Sequence, residues 1–197
     1  MRALIGCECS GRVRDAFIRY GVDAVSCDLL PSETPGPHIQ DDVLNHLDDG
    51  WDLGIFFPDC THLAVSGARY WKEKKADGRQ DKAVEFFMRL VKAPIPRIAL
   101  ENPVGIMSTL YRQPDQIIQP WQFGDDASKR TCLWLRNLPP LYHTRIIRKV
   151  RYSNQTPSGQ NKLGPSPDRA RERSRTYPGI AEAMAKNWHN LRCIKKR

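Results

Sequence analysis

In the first 28 residues, apolar runs alternate with residues that favour a turn or a helix, in an order that is compatible with few folds. Residues 3–6 are apolar and end in Gly6, and Ser10 follows as a candidate helix N-cap. Apolar side chains then recur at helical spacing as far as Gly21, and a second apolar run at residues 23–28 ends in an acid. Strand, glycine turn, helix and strand in this order predict an α/β protein with a doubly wound sheet.

The turn after the first predicted strand differs from the glycine motifs that bind phosphates. Glu8 stands where the dinucleotide motif G-x-G-x-x-G requires a glycine, and the nearest glycines are Gly6 and Gly11. A carboxylate at this position repels a phosphate and suits a cofactor that carries positive charge. Asp28, at the end of the second strand, can accept hydrogen bonds from ribose hydroxyls.

Two later apolar runs end in residues with reactive side chains. The run that begins at Leu53 stops at Pro58, and Cys60 follows two residues later in a loop of small residues. A second run, from Ile98, ends in Glu101. We expect the thiol and the carboxylate to meet, because the carboxyl ends of parallel strands lie at one edge of a sheet. A lone cysteine is more often a small buried hydrophobe, so the combination is what favours a reactive site.

Length and cysteine pattern argue against several classes of protein. The 197 residues suffice for one core, and no apolar run approaches the ~20 residues of a membrane span. Charged residues come too early for a secretion signal, so we expect a cytoplasmic protein without a membrane partner. The six cysteines are then interpreted as reduced thiols. Cys7 and Cys9 form a C-x-C without a second ligand pair at zinc spacing, so we expect no metal site.

Positive charge is concentrated in the last quarter of the chain. The formal net charge is +9, yet the segment from Thr144 onward carries 14 Lys and Arg against 3 Asp and Glu. The rest of the chain is therefore close to neutral. Tyr152, Tyr177 and Trp188 are interleaved with the basic residues. This pattern favours a polyanionic partner such as nucleic acid over a tail that serves only solubility.

Hydrophobic periodicity predicts the remaining elements. We expect a charged loop over residues 72–79, an amphipathic helix over 81–92 and a strand over 131–135. A last helix is predicted over 178–190, where Pro178 suits the first helical position. Three of its apolar side chains lie on one side at helical spacing: Ile180, Met184 and Trp188.

The order and spacing of these features resemble the DNA (cytosine-5)-methyltransferase family. The segment 58–67, PDCTHLAVSG, is similar to that family's P-P-C-Q-x-F-S-x-x-G, and residues 101–103, ENP, are similar to its E-N-V. Three further segments are similar to its F-x-G-x-G-G motif, its Q-x-R-x-R strand and its last helix: residues 4–11, 127–131 and 179–186. The likeness covers the chain to about residue 135, together with the C-terminal helix.

The resemblance implies an α/β Rossmann-like class I S-adenosyl-L-methionine-dependent methyltransferase sheet with helices on both faces. Under it, residues 1–150 and 178–191 form a single catalytic domain, 151–177 a flexible basic insertion and 192–197 a basic tail. It also implies S-adenosyl-L-methionine as the cofactor. The residues implied to bind this cofactor are Gly6, Glu8, Gly11, Asp28, Asp42 and Pro58.

The activity implied by the resemblance is methyl transfer to C5 of cytosine in DNA. Cys60 would add to C6 of the ring as a thiolate, which makes C5 nucleophilic. Glu101 would hold N3 and the exocyclic amine, and Lys129 stands where the family has an arginine that orients the ring. Two residues of the cysteine loop depart from the family motif. Asp59 replaces a proline and should raise the pKa of Cys60, and Thr61 replaces a glutamine.

The implied partner is DNA, single- or double-stranded, or a pyrimidine nucleotide. Family members carry a large target-recognition domain where this chain has only ~40 residues, so we expect low sequence specificity. Two alternatives stay open: the same fold and cofactor acting on RNA or a free pyrimidine nucleotide, and a non-catalytic nucleic-acid-binding protein with a methyltransferase-like fold. The candidates for substrate binding are Ser66, Gly67, Asn102, Arg130, Lys162, Arg169, Arg171, Arg173 and Arg175.

Overall fold

A computed structural model describes residues 1–164, 166 and 169–191. The basic tail predicted at residues 192–197 lies outside the described residues. The strands are β1 (Arg2–Gly6), β2 (Asp23–Asp28), β3 (His38–Gln40), β4 (Leu53–Phe56), β5 (Arg97–Pro103), β6 (Gln116–Ile118) and β7 (Thr131–Arg136). The helices are α1 (Arg12–Arg19), α2 (Trp71–Ala76), α3 (Arg79–Val91), α4 (Met107–Leu110), α5 (Arg169–Ser174) and α6 (Pro178–Trp188).

Within the described residues, seven strands form one sheet in the order β3-β2-β1-β4-β5-β7-β6. The first five strands along the chain pair in parallel, whereas β7 runs antiparallel to both of its neighbours. Helix α1 connects β1 to β2, and α3 lies between β4 and β5 in the chain, as parallel pairing requires. The order of the sheet reverses at β1, so the carboxyl ends of β1 and β4 flank a switch point where ligands bind in such folds. The predicted α/β Rossmann-like sheet is confirmed.

Helices α1 and α6 cover one face of the sheet. Side chains alternate between the two faces of a strand, and Ile5 of β1 packs on this face with Phe17 of α1. Helix α6 lies beside α1 and contributes the three residues predicted to line its apolar side. All three are buried in this core: Ile180, Met184 and Trp188.

Helix α3 covers the other face, where Phe56 is the centre of the packing around β1 and β4. Phe87 and Leu90 of α3 belong to the same buried cluster. The ring of Phe56 takes the space that side chains would need at two glycines. A Cβ on Gly6 would lie 2.6 Å from Phe56 Cδ1, and one on Gly54 would lie 2.7 Å from Cε2. Gly6 is therefore required by packing, independently of any ligand at the turn that follows it.

The structure differs from the sequence prediction in the segment of residues 72–79. Most of the charged loop predicted over residues 72–79 is instead helical: residues 72–76 belong to α2 and Arg79 begins α3, with a turn at Asp77 and Gly78 between them. Lys, Glu and Ala favour helix, but the segment is too short for a hydrophobic period to show. The predicted flexible insertion contains helix α5 and a bridge between Gln155 and Asn161. The bridge is a local contact between residues six apart, whereas α5 is held by Arg171 on Glu33, a contact that local composition does not encode.

The described residues add three general facts. None of their helices is at once long and apolar enough to cross a bilayer. They contain no group of three or more His, Cys, Asp or Glu side chains arranged to hold a metal ion. The described cysteines are free thiols: Cys7, Cys9, Cys27, Cys60 and Cys132.

Candidate active site

A cavity of about 800 Å³ opens beyond the carboxyl ends of β4 and β5, and we call it the Cys60 cavity. Its walls come from the cysteine loop, the α2 region, the end of β5, the segment before β7 and described residues between Asn161 and Tyr177. Nine of the predicted site residues line it: Pro58, Cys60, Ser66, Gly67, Glu101, Lys129, Arg130, Arg169 and Arg173. The expectation that Cys60 and Glu101 meet at one edge is met.

The antiparallel pairing of β5 and β7 brings Lys129 to Glu101. Pro103 pairs with Thr131, so the residues just before β7 lie beside the last residues of β5. Lys129 Nζ lies 3.6 Å from Glu101 Oε1, and the Glu101 side chain is only 13% exposed. Lys129 Nζ also donates a hydrogen bond of 3.2 Å to the carbonyl oxygen of Arg173. A partly buried ion pair of this kind can present both charges to a ligand in the cavity.

The Cys60 thiol sits in an environment that favours its protonated form. Burial raises the pKa of Cys60, and the negative charges of Glu101 and Asp59 raise it further. The cations Lys129 and Arg173 act in the opposite direction and lower this pKa. The sequence-based expectation for Asp59 has the correct sign. Its effect is smaller than that of burial or of Glu101.

Hydrogen bonds from β5 and α2, together with bonds within the loop, hold the cysteine loop. Asn102, predicted to bind substrate, is buried beneath the loop and does not line the cavity, and its Nδ2 donates to Pro58 O at 2.9 Å. Lys74 Nζ donates to Thr61 O at 2.6 Å. The two residues that depart from the family motif contact each other. Asp59 Oδ1 accepts from both the backbone N–H and the hydroxyl of Thr61, at 2.9 and 2.7 Å.

Sequence reasoning missed Lys74, which is buried and lines the cavity. It lies in the charged segment that was predicted to be a loop, between the exposed Lys72 and Lys75. The sequence carries no signal that separates this lysine from its neighbours. Only the packing of α2 against the cysteine loop distinguishes it.

The predicted cofactor residues surround the turn after β1. Glu8 is buried, its Oε1 accepts a hydrogen bond from Ser10 Oγ, and its Oε2 is buried without a hydrogen-bond partner. Burial raises the pKa of Glu8, while the bond from Ser10 opposes the rise. Gly11 has φ of 71°, and a Cβ there would lie 2.1 Å from Thr34 Oγ1, so only glycine fits. The buried, unpaired carboxylate oxygen is a site that a cationic group would satisfy.

Asp28 and Asp42 lie at the carboxyl ends of β2 and β3. Asp28 Oδ1 accepts from the backbone N–H of Leu30, and Asp42 Oδ1 accepts from that of Leu44, both at 2.9 Å. Burial of the Cys7 thiol raises its pKa, and the charges of Asp28 and Asp42 add to this effect. Both carboxylates are therefore near enough to Cys7, in the turn that also holds Glu8, to act on its pKa.

Arg171 and Arg175, both predicted to bind substrate, pair with a carboxylate of the protein itself. Arg171 Nε lies 2.5 Å from Glu33 Oε1, and Arg175 Nε lies 2.8 Å from Glu33 Oε2. The backbone N–H of Glu33 donates to Cys9 O at 2.8 Å. We call residues 169–177 the basic strap. It connects the turn after β1 to the wall of the Cys60 cavity.

The four arginines of the basic strap form two pairs with different contacts. Arg169 and Arg173 are four residues apart and line the cavity, whereas Arg171 and Arg175 lie on Glu33. Lys162, the last predicted substrate residue, is exposed and does not line the cavity. Its charge helps to lower the pKa of Asp126. Five of the nine predicted substrate residues thus line the cavity, and four do not.

Comparison with known proteins identifies the type of fold. No protein-family model matches this chain, and no curated protein sequence matches it. A solved structure of a proposed DNA modification methyltransferase encoded within an E. coli prophage superposes with a TM-score of 0.50 and 16% identity. The match covers 77% of this chain and 53% of the other, so the chain aligns with about half the length of that protein. At this identity the likeness concerns the fold, which is the α/β Rossmann-like fold of methyltransferases.

Proposed function

We propose that this chain is an S-adenosyl-L-methionine-dependent methyltransferase that modifies C5 of cytosine in DNA through a covalent Cys60 adduct. The observation that carries the proposal is the meeting of Cys60, Glu101 and Lys129 in one cavity at the edge of a methyltransferase-type sheet. A thiol, a carboxylate and a cation are the groups that attack on a pyrimidine ring requires.

The residues around the turn after β1 fit S-adenosyl-L-methionine. The unpaired Oε2 of Glu8 suits the positive charge of this cofactor. Asp28 and Asp42, at the next two strand ends, suit the ribose hydroxyls and the adenine amine. When bound, the cofactor would supply an electrophilic methyl group. Pro58 lines the Cys60 cavity and joins β4 to the cysteine loop, so it lies between the two halves of the proposed site.

Each residue of the cavity has a distinct role in the proposed reaction. The Cys60 proton passes by way of Glu101 to N3, Sγ bonds to C6, and the electron pair of the C5–C6 double bond becomes available at C5. Glu101 accepts from the exocyclic amine and holds N3, while Lys129 keeps Glu101 in place and stabilises the thiolate. After C5 gains a methyl group, its proton passes to solvent and the Sγ–C6 bond breaks, while N3 returns its proton to Cys60 by way of Glu101, which restores both the ring and the thiol.

The proposal includes low sequence specificity. Between β7 and α6 the chain has no room for a folded domain that reads several base pairs, since even a single-module DNA interface buries ~600–1,000 Å². The basic residues in this part of the chain suit phosphates, which position a nucleic acid without reading its bases. An enzyme of this kind would act on many cytosines, or would obtain specificity from a partner.

Covalent trapping tests the proposal directly. An oligonucleotide that contains 5-fluorocytosine should form an adduct with the protein in the presence of S-adenosyl-L-methionine, because fluorine at C5 cannot leave as a proton does. Mass spectrometry of the intact protein should place the adduct on Cys60. Cys60→Ser should give no adduct, and Cys132→Ser serves as a matched control at a buried thiol outside the cavity. A wild-type protein that binds both ligands without forming an adduct would rule out covalent catalysis.

A free pyrimidine nucleotide is a second candidate substrate. Residues of the chain from Asn161 to Tyr177 form one wall of the Cys60 cavity, which favours a small substrate. Mass spectrometry of DNA, RNA and nucleotide pools after incubation with protein and cofactor separates the candidates. Methylation of DNA alone supports the first proposal. Methylation of the free nucleotide without methylation of DNA or RNA supports the second.

A further inference from the structure

Residues 142–151, YHTRIIRKVR, form an exposed basic segment that we call the basic ribbon. It contains no Asp or Glu. Arg145, Arg148 and Arg151 recur at intervals of three residues and are exposed, as is Lys149. Three large apolar side chains are also exposed along it: Tyr142 at 71%, Ile146 at 47% and Val150 at 108%. None of the nine substrate residues predicted from the sequence lies in this segment.

The backbone of the ribbon is held in place, although its side chains are exposed. The backbone N–H of Ile147 donates to Trp121 O at 2.8 Å, and Arg145 forms a bridge with Phe123. The ring of Tyr152 stacks on that of Trp121, with centroids 6.3 Å apart and 14° between the planes. A fixed backbone presents its cations at set positions, which reduces the entropy lost when a ligand binds.

Within the part of the chain that the structure describes, most of the ribbon's charge is not neutralised. Lys149 Nζ lies 2.5 Å from Asp126 Oδ2. Among the described residues, no ion pair joins Arg145, Arg148 or Arg151 to a carboxylate. Guanidinium groups of this kind are suited to phosphates, which they contact through two hydrogen bonds.

The ribbon leads to the Cys60 cavity. Three residues after Arg151, Asn154 exchanges hydrogen bonds with the backbone of Ser128, at 3.0 and 2.9 Å. Asn154 Nδ2 also donates to Tyr177 Oη at 3.3 Å. Ser128 and Tyr177 both line the cavity. Asn154 therefore ties the chain just after the ribbon to two residues of the cavity wall.

We infer that the basic ribbon binds the sugar-phosphate backbone of a polynucleotide whose target base enters the Cys60 cavity. The backbone positions of cations three residues apart are separated by at most ~10 Å, so the three arginines can reach neighbouring phosphates of one strand. Tyr142 can stack on a base next to the contacted phosphates. The inference rests on the proposed function for its target base and deepens it, because it selects a polynucleotide over a free nucleotide.

The test compares two triple variants of the full chain that remove the same charge. One is Arg145→Gln, Arg148→Gln and Arg151→Gln in the ribbon. The control is Lys82→Gln, Arg89→Gln and Lys92→Gln on and just after α3, where all three side chains are exposed. Fluorescence anisotropy with a labelled 30-nucleotide single strand measures the Kd across a salt series. Circular dichroism verifies that each variant is folded.

The ribbon variant should bind the strand at least about tenfold more weakly at low salt. The slope of log affinity against log salt should fall by about 2, since each lost phosphate contact on a single strand contributes ~0.7. The control should keep the wild-type slope. Equal Kd values and slopes for the two variants would overturn the inference, as would a wild-type protein that does not bind the strand. Tighter binding of the ribbon to phosphatidylserine vesicles than to DNA would also overturn it, in favour of a membrane surface.

A measurement without variants provides a second check. Phenylglyoxal modifies accessible arginines, and bound DNA should protect Arg145, Arg148 and Arg151 but not Arg89. Methyl transfer by the same proteins separates this inference from the proposed function. If DNA is methylated but both variants bind equally, the ribbon assignment is wrong and the function stands. If the ribbon variant alone loses binding and no protein transfers methyl, the function is wrong and the ribbon stands.

Discussion

The pKa of the Cys60 thiol depends on charges from three segments that are distant from it in the sequence. Burial and the Glu101 carboxylate raise its pKa, while Lys129 and Arg173 lower it. Neither Glu101 nor Lys129 is near Cys60 in the sequence. The reactivity of this cysteine therefore depends on the charged groups that meet at the sheet edge. Single substitutions of those groups should raise or lower it.

Opposite substitutions in the Glu101–Lys129 pair should shift the pKa of Cys60 in opposite directions. Glu101→Gln removes a negative charge and lowers this pKa, so alkylation of Cys60 by iodoacetamide becomes faster at neutral pH. Lys129→Gln removes a positive charge and slows it. Each change of one unit in the pKa alters the thiolate fraction roughly tenfold. Rates against pH, measured by peptide mass spectrometry, provide the profile, and shifts of the same sign in both variants would contradict this account.

Gly6 should resist substitution because of Phe56. A methyl group at this position lies 2.6 Å from Phe56 Cδ1, so Gly6→Ala should destabilise the protein by about 1–3 kcal/mol through overpacking. Phe56→Leu should be less damaging in the Gly6→Ala background than in the wild type, because the smaller side chain releases the clash. Urea denaturation of the four proteins in a double-mutant cycle measures the coupling. Additive effects would mean that the ring does not determine the residue at this position.

At the scale of elements, the basic strap is the part of the chain that joins the two halves of the proposed site. Its attachment depends on Glu33, whose carboxylate holds both Arg171 and Arg175. The same carboxylate lies beside the turn after β1 through its backbone bond to Cys9. A change at Glu33 should therefore affect the far wall of the Cys60 cavity.

Glu33→Gln should release the strap. Hydrogen bonds from Arg175 and Arg171 lower the pKa of Glu33 below its ordinary value. The stability that the Glu33 carboxylate contributes is therefore complete above the pKa that Glu33 has in the unfolded chain. It is lost as pH falls through the lower pKa of Glu33 in the folded protein. The variant should be cleaved by trypsin within residues 169–175 several times faster than wild type at neutral pH. Glu85→Gln, at an exposed position on α3, is the control and should be cleaved like wild type.

At the scale of the whole molecule, a ligand that binds at the turn after β1 should increase the free energy of unfolding. A ligand that binds only the folded state stabilises it by about 2.7 kcal/mol at one hundred times its Kd. S-adenosyl-L-methionine should accordingly raise the Tm, and Asp28→Asn should reduce the rise by weakening the contact with ribose. Differential scanning calorimetry measures both effects, with Asp23→Asn at the start of β2 as the control. A Tm that does not change with the cofactor would exclude the proposed methyl donor.

The order of apolar runs, glycines and acids was enough to predict the sheet and the strand ends that carry Cys60, Glu101 and Asp28. These features are local, because the apolar residues of a strand themselves indicate that the strand is buried. The sequence did not indicate α2, the strap on Glu33 or the burial of Lys74. Each depends on contacts between segments that are distant along the chain, and each lies where charged residues have no hydrophobic period.

The arginines show most clearly which properties the local sequence predicts and which depend on tertiary contacts. By sequence alone, Arg169, Arg171, Arg173 and Arg175 are equivalent, and all four were predicted to bind substrate. The helical turn of α5 and the position of Glu33 divide them into two that line the cavity and two that hold the strap. The sequence by itself determined which strand ends carry reactive groups. Only the tertiary structure decided which charges face the cavity, because a charged side chain acquires its role from the group it meets in space.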